Sequence, residues 1–170
     1  WLLPPMTLLI TLQFYSPQSA LVNRGVGGDL SGAGFSGALG YFRPPGTFSF
    51  TNGNTLFFNL AACFACYFWL TKVKLSNFLL ILSSICLFIA VPLSISRAYF
   101  FQLIITLGFT VMCTSLDTKA LGRSILVIII LILSAVVLTQ FSFFQIGIEA
   151  FTARLENASN SEGGLIGTLG

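Results

Sequence analysis

An all-α, polytopic transmembrane helix bundle is the fold class this sequence predicts, and three observations carry it. Of 170 residues, 55% are hydrophobic and only 8% charged, against about 25% charged in a soluble domain. The apolar runs are continuous rather than alternating, so they read as helices and not barrel strands, because backbone amides in lipid need partners within the segment. Finally, Arg97 stands between two uncharged runs, Leu75 to Leu93 and Ala98 to Leu116. Each is about 19 residues, enough to cross a hydrocarbon core as a helix.

In chain order, Trp1 to Tyr15 predicts a partial span, because Pro4-Pro5 interrupt it and leave only about ten apolar residues. Residues 16–54 predict a polar outer loop. Four full spans then follow, at 55–71, 75–93, 98–116 and 124–144, and residues 145–170 predict the start of a large outer loop. The opening at Trp1 and the glycine-rich close, Gly163-Gly164-Leu165-Ile166-Gly167-Thr168-Leu169-Gly170, read as a piece of a longer protein, a single membrane-embedded domain.

The short connections carry Lys72, Lys74, Asp117, Lys119 and Arg123, and the other side receives Arg24, Arg43, Arg97 and Arg154. The two sides tie in cations, but every lysine lies in a short loop, which marks that side as cytoplasmic. Independently of orientation, an even number of crossings separates Arg43, Arg97 and Arg154. The expectation is three guanidiniums on one face, each a planar fork of donors suited to phosphate or carboxylate oxygens. Interfacial anchoring is the plainer account of the same residues.

Other motifs carry less. A net charge of +3 with no long Lys/Arg run argues against nucleic acid. Gly32-Ala33-Gly34-Phe35-Ser36-Gly37 satisfies G-x-G-x-x-G but lacks the flanking strand and helix of a dinucleotide site. Cys63, Cys66, Cys86 and Cys113 lie inside apolar runs, and Cys63-Phe64-Ala65-Cys66 has no histidine in the chain to join it, so all four read as buried hydrophobes. Asn59 and Gln102 fall within spans and read as interhelical hydrogen-bonding residues. Asn157-Ala158-Ser159 fits the glycosylation acceptor pattern in an exposed segment. No acidic pair stands at metal-ligand spacing, so neither a metal nor another cofactor is expected.

Four local features occur in the order found in the O-antigen ligase and O-antigen polymerase family of bacterial envelope glycosyltransferases. Leu12-Gln13-Phe14-Tyr15-Ser16-Pro17 resembles the end of a family span. Arg43-Pro44-Pro45-Gly46-Thr47-Phe48, with Asn52 and Asn54 following, resembles the family's Arg-x-x-Gly-Thr-Phe element, although Thr51-Asn52-Gly53-Asn54 replaces its usual Pro-Asn. Ser96-Arg97 is similar to the family's Ser-Arg turn, and Phe151-Thr152-Ala153-Arg154-Leu155-Glu156 to the start of its large periplasmic loop. The ligase branch has a histidine in that loop, and this chain has none.

The resemblance implies a multi-pass protein of the bacterial inner membrane with a periplasmic or extracellular active face. Its donor would be a glycan on undecaprenyl pyrophosphate, and its acceptor a sugar hydroxyl on a glycan, lipid or protein. In that reaction Arg97 and Arg43 would be catalytic and, with Arg154, substrate-binding, stabilising the charge that grows on the pyrophosphate. Glu149, Glu156 and Glu162 are candidate general bases, and a piece of this length is expected to be inactive alone. Two other readings compete: a fragment of a transporter or flippase for an anionic or lipid-linked substrate, and a structural multi-span protein without chemistry.

Overall fold

The computed structural model describes residues 2–23, 35, 37–71, 76–115, 121, 122, 124–126, 128, 129, 132, 133, 136 and 139–161. Among these there is no extended strand. The five helices with assigned bounds are α1 (Leu3–Tyr15), α2 (Thr51–Leu70), α3 (Asn77–Leu93), α4 (Arg97–Thr114) and α5 (Ser142–Ser161), and the described positions from 121 to 136 are helical too.

The arrangement of four full spans and one partial span is corrected by these bounds. Among the described residues two helices, α2 with 20 residues and α4 with 18, are long and apolar enough to cross a membrane. Helix α3 is apolar but has 17 residues, a length of about 26 Å. Helix α1 has 13, and its two prolines do not interrupt it. They sit in its first turn, where the proline nitrogen has no intrahelical acceptor to lose, so they start the helix. The run from 124 to 144 is broken: Thr139 and Gln140 form a turn, Phe141 bends, and α5 begins at Ser142. Hydropathy alone does not register this break, because its residues are uncharged. The Gln145 side chain caps the turn by donating to Thr139 O at 3.0 Å. Residues 145–161, expected as loop, are helix, continuing from Ser142.

Helix α3 is central, packing against α1, α2 and α5, and α4 packs on α2 and α5. Interhelical bonds set the directions. Thr55 Oγ1 meets Ser96 Oγ at 3.0 Å near the starts of α2 and α4, and Thr106 Oγ1 donates to Asn59 Oδ1 at 3.1 Å further along the same pair. These two helices therefore run parallel, and α3, which joins them in sequence, runs back the other way, with Trp69 Nε1 near the end of α2 donating to Ser84 Oγ. Small residues Ala62, Ala65 and Ala90 admit close approach, and Ile10, Phe14, Phe58, Leu93 and Tyr99 fill the core between the helices.

Candidate anion-binding site

The end of the bundle where α2 and α4 begin carries the arginines. Arg43 is set by its loop. Its amide donates to Phe35 O at 3.1 Å, and Phe48 N donates to Pro45 O, closing a turn around Gly46. Gly46 has φ +65, and a Cβ there would lie 3.0 Å from Asn54 Oδ1 and from Met6 Cε. Both its conformation and its surroundings therefore call for glycine. Two amide side chains hold this loop from opposite sides. Gln13 on α1 accepts from Gly46 N at 2.9 Å and donates to Gly46 O at 3.0 Å, while Asn54 on α2 donates to Pro44 O at 3.1 Å. Asn23 in turn donates to Gln13 O, Ser16 O and Pro17 O, fixing the end of α1. Gly53 lies flat beneath Phe48, whose Cγ would be 2.7 Å from any added Cβ.

Arg97 is the first residue of α4. Ser96 caps that helix by accepting from Tyr99 N at 3.3 Å, and the buried Tyr99 donates its hydroxyl proton to Leu87 O at 3.0 Å, tying α4 to α3. A guanidinium at a helix N-terminus sits against the helix dipole, a cost of about 0.3–1 kcal/mol. Its placement there is thus not explained by helix stability, and an anion at the same point would reverse the sign of the interaction.

Arg154 comes from α5, and its Nη1 donates to Gly37 O at 3.0 Å. Gly37 admits no side chain, because a Cβ would run into Tyr41 O and Ile95 Cδ1.

The three guanidiniums lie within each other's electrostatic reach. Burial, then the charges of Arg154 and Arg97, hold Arg43 below the ordinary arginine range, and burial followed by Arg97 lowers Arg154. The charged states of Arg43 and Arg154 are thus disfavoured by burial and by neighbouring guanidiniums from separate segments, which a shared polyanion would relieve. Arg43 Nε is buried with no hydrogen-bond partner in the structure.

Beside the arginines opens an apolar groove of about 270 Å³ between α3, α4 and α5, lined by Phe88, Pro92, Phe100, Leu107, Phe144 and Ile148 among others. Phe100 lies one turn along α4 from Arg97, and its ring meets Phe151, one turn before Arg154, at 5.5 Å. A smaller cavity of about 50 Å³ between Ala62, Trp69, Leu87 and Leu103 lies away from the arginines.

Of the remaining sequence candidates, Asn59 bonds across α2 and α4 as described, whereas Gln102 Oε1 is buried without a hydrogen-bond partner. The four cysteines are free, and only Cys86 is buried; Cys63 and Cys113 are exposed and Cys66 half-buried, which corrects their reading as core hydrophobes. Glu149 and Glu156 are exposed on α5, and Asn157 is helical. Arg24, Lys72, Lys74, Asp117, Lys119, Arg123, Glu162 and most of the Gly32 to Gly37 motif lie outside the described residues. Among the described residues no group of three or more His, Cys, Asp or Glu could hold a metal ion.

Gln13 and Asn54 carry the loop geometry but were not singled out by chemistry. Their signal is a primary amide facing the core of an otherwise apolar helix, which requires a partner there. No protein-family model, curated protein or solved structure matches this chain.

Proposed function

We propose that the arginine end binds the diphosphate of a polyprenyl-linked glycan and that the protein transfers that glycan to an acceptor hydroxyl, as an O-antigen ligase or polysaccharide polymerase does. The observation that carries this reading is the convergence of Arg43, Arg97 and Arg154 from three separate segments at one end of the bundle, close enough that, after burial, Arg154 and Arg97 lower the pKa of Arg43 and Arg97 lowers that of Arg154, a cluster of cations that a diphosphate would stabilise. In the reaction the acceptor oxygen attacks the anomeric carbon while the bond from that carbon to the pyrophosphate oxygen breaks. The electron pair stays on the diphosphate, beside the guanidiniums, and the acceptor proton passes to a base. Cationic forks already in place gain most when that charge develops, so they favour the transition state over the ground state. The groove beside Phe100 and Phe151 gives an apolar tail a path from the same point. The setting proposed is the bacterial inner membrane, with the arginine end on the periplasmic or extracellular side.

The test is transfer by the full-length protein in lipid, with a labelled polyprenyl-diphosphate glycan as donor. Arg97→Ala is expected to lower kcat by about a hundredfold or more. Arg97→Lys should also be impaired, because it keeps the charge but loses the fork. Full activity in both variants, at normal protein levels, would remove the proposal. Uptake of intact substrate into vesicles without bond cleavage would replace it with a transport function.

A further inference from the structure

We infer that Gln13 is a positioning residue for Arg43, acting through the backbone of Gly46; the inference rests on the diphosphate-binding reading above. Gln13 is only 3% exposed. It grips one residue of the neighbouring loop with both ends of its amide, accepting from Gly46 N and donating to Gly46 O, while its nitrogen also donates to Val22 O at 3.3 Å. This is the pattern by which a strand partner reads a peptide unit, supplied here by one side chain on α1. Gly46 is three residues from Arg43. Pro44 and Pro45 fix φ at both intervening positions, so little rotational freedom separates the clamp from the guanidinium.

The opposite wall agrees. Asn54 holds Pro44 O, and Gly46 is packed against Asn54 Oδ1 on α2 and Met6 on α1, so the loop is confined between the two helices. Gln13 ties Gly46 to α1 through both of its peptide atoms. The anchor is itself fixed, because Asn23 holds Gln13 O. Arg43 Nε makes no hydrogen bond that would locate it otherwise, and it stays close to two like charges that would push a free side chain away. Its place near Arg97 and Arg154 therefore depends on backbone held from α1.

The amide also defines a conservative probe. In Gln13→Glu the protonated carboxyl has one donor and one acceptor and rebuilds both bonds to Gly46, losing only the longer one to Val22 O, whereas the carboxylate presents only acceptors and opposes Gly46 O. Burial raises the pKa of the introduced group, so the clamp is whole at low pH and broken at high pH.

The experiment measures binding of inorganic pyrophosphate by calorimetry to the full-length protein in lipid nanodiscs, comparing wild type, Arg43→Ala, Gln13→Ala and Gln13→Glu. Alongside, mass spectrometry gives the rate at which phenylglyoxal modifies Arg43. Gln13→Ala should weaken pyrophosphate binding about tenfold, the loss of one well-placed charged contact, and should speed modification of Arg43. Relative to wild type at the same pH, Gln13→Glu should bind normally near about pH 5 and poorly near about pH 8. Unchanged affinity and unchanged Arg43 reactivity in Gln13→Ala would overturn the inference, as would a pH-independent Gln13→Glu. Failure of wild type to bind pyrophosphate, or full binding by Arg43→Ala, would instead overturn the diphosphate reading. The phenylglyoxal rates would then still decide whether the clamp sets Arg43.

Discussion

Ile95 shows how much the placement of Arg97 costs locally. It is fully buried with φ +44, a left-handed conformation that is unfavourable for a β-branched residue by about 1–2 kcal/mol. The reason lies in the connection. The Ser94 amide still donates to Ala90 O at the close of α3, Ser96 already caps α4, and one residue must reverse the chain while the Ile95 side chain fills the space against Gly37. Burial of the isoleucine, about 1.5–3 kcal/mol, offsets the strain. Ile95→Ala loses the burial and keeps a Cβ in the strained region; Ile95→Gly loses the burial but relieves the strain. The glycine variant should therefore melt at or above the alanine variant, the reverse of the order found in helices. Thermal unfolding of both in the same detergent checks this, and a clearly more stable alanine variant would refute it. The turn itself was readable from Arg97 between two apolar runs. The left-handed isoleucine was not, because nothing in its chemistry favours that backbone.

At the scale of elements, α5 is the least expected feature and the one that brings Arg154 into place. Its average polarity reads as loop, but its pattern is helical: Phe144, Gly147, Ala150 and Phe151 are buried while Gln145, Glu149, Thr152 and Glu156 are exposed. Averaging over a window hides this alternation of faces. Gly147 is the contact point, since a Cβ there would be 3.2 Å from Leu93 Cδ2 and 3.6 Å from Pro92 Cβ. Gly147→Ala needs only a small shift of the Leu93 tip and should cost under about 1 kcal/mol. Gly147→Val adds two further methyl groups beyond the Cβ against the rigid Pro92 end, should cost about 1–3 kcal/mol, and should lift Arg154 from Gly37. Spin labels at the exposed positions 56 and 152 would register that displacement as a broadened distance distribution, and an unchanged distribution in the valine variant would contradict it. The arginine positions were legible because charges are scarce in this chain. The loop that orients Arg43 was not, because Gln13 and Asn54 act through backbone atoms whose neighbours only the fold supplies.

For the molecule as a whole, the two candidate crossing helices start at the same end, and that end holds the arginines. Only 28% of the apolar window of α2 and 17% of that of α4 is buried inside the protein, whereas the core helix of a soluble domain would be mostly enclosed. The outward residues include Leu56, Leu60, Phe64, Ile104, Ile105, Phe109 and Met112, a belt whose exposure to water at about 25 cal/mol per Å² would be costly and whose exposure to acyl chains would not. The parallel course of α2 and α4, fixed by the Thr55 to Ser96 and Asn59 to Thr106 bonds, then puts positions just before α2 and at the start of α4 at one surface. In a background with all four cysteines replaced, single cysteines at the exposed positions 49 and 98 should react with a membrane-impermeant maleimide from the same side of sealed vesicles. Cysteines at 60 and 105, halfway along the belt, should react from neither side until detergent is added. Labelling of 49 and 98 from opposite compartments would separate Arg43 from Arg97 and leave no shared anion site, whatever the activity of the intact protein.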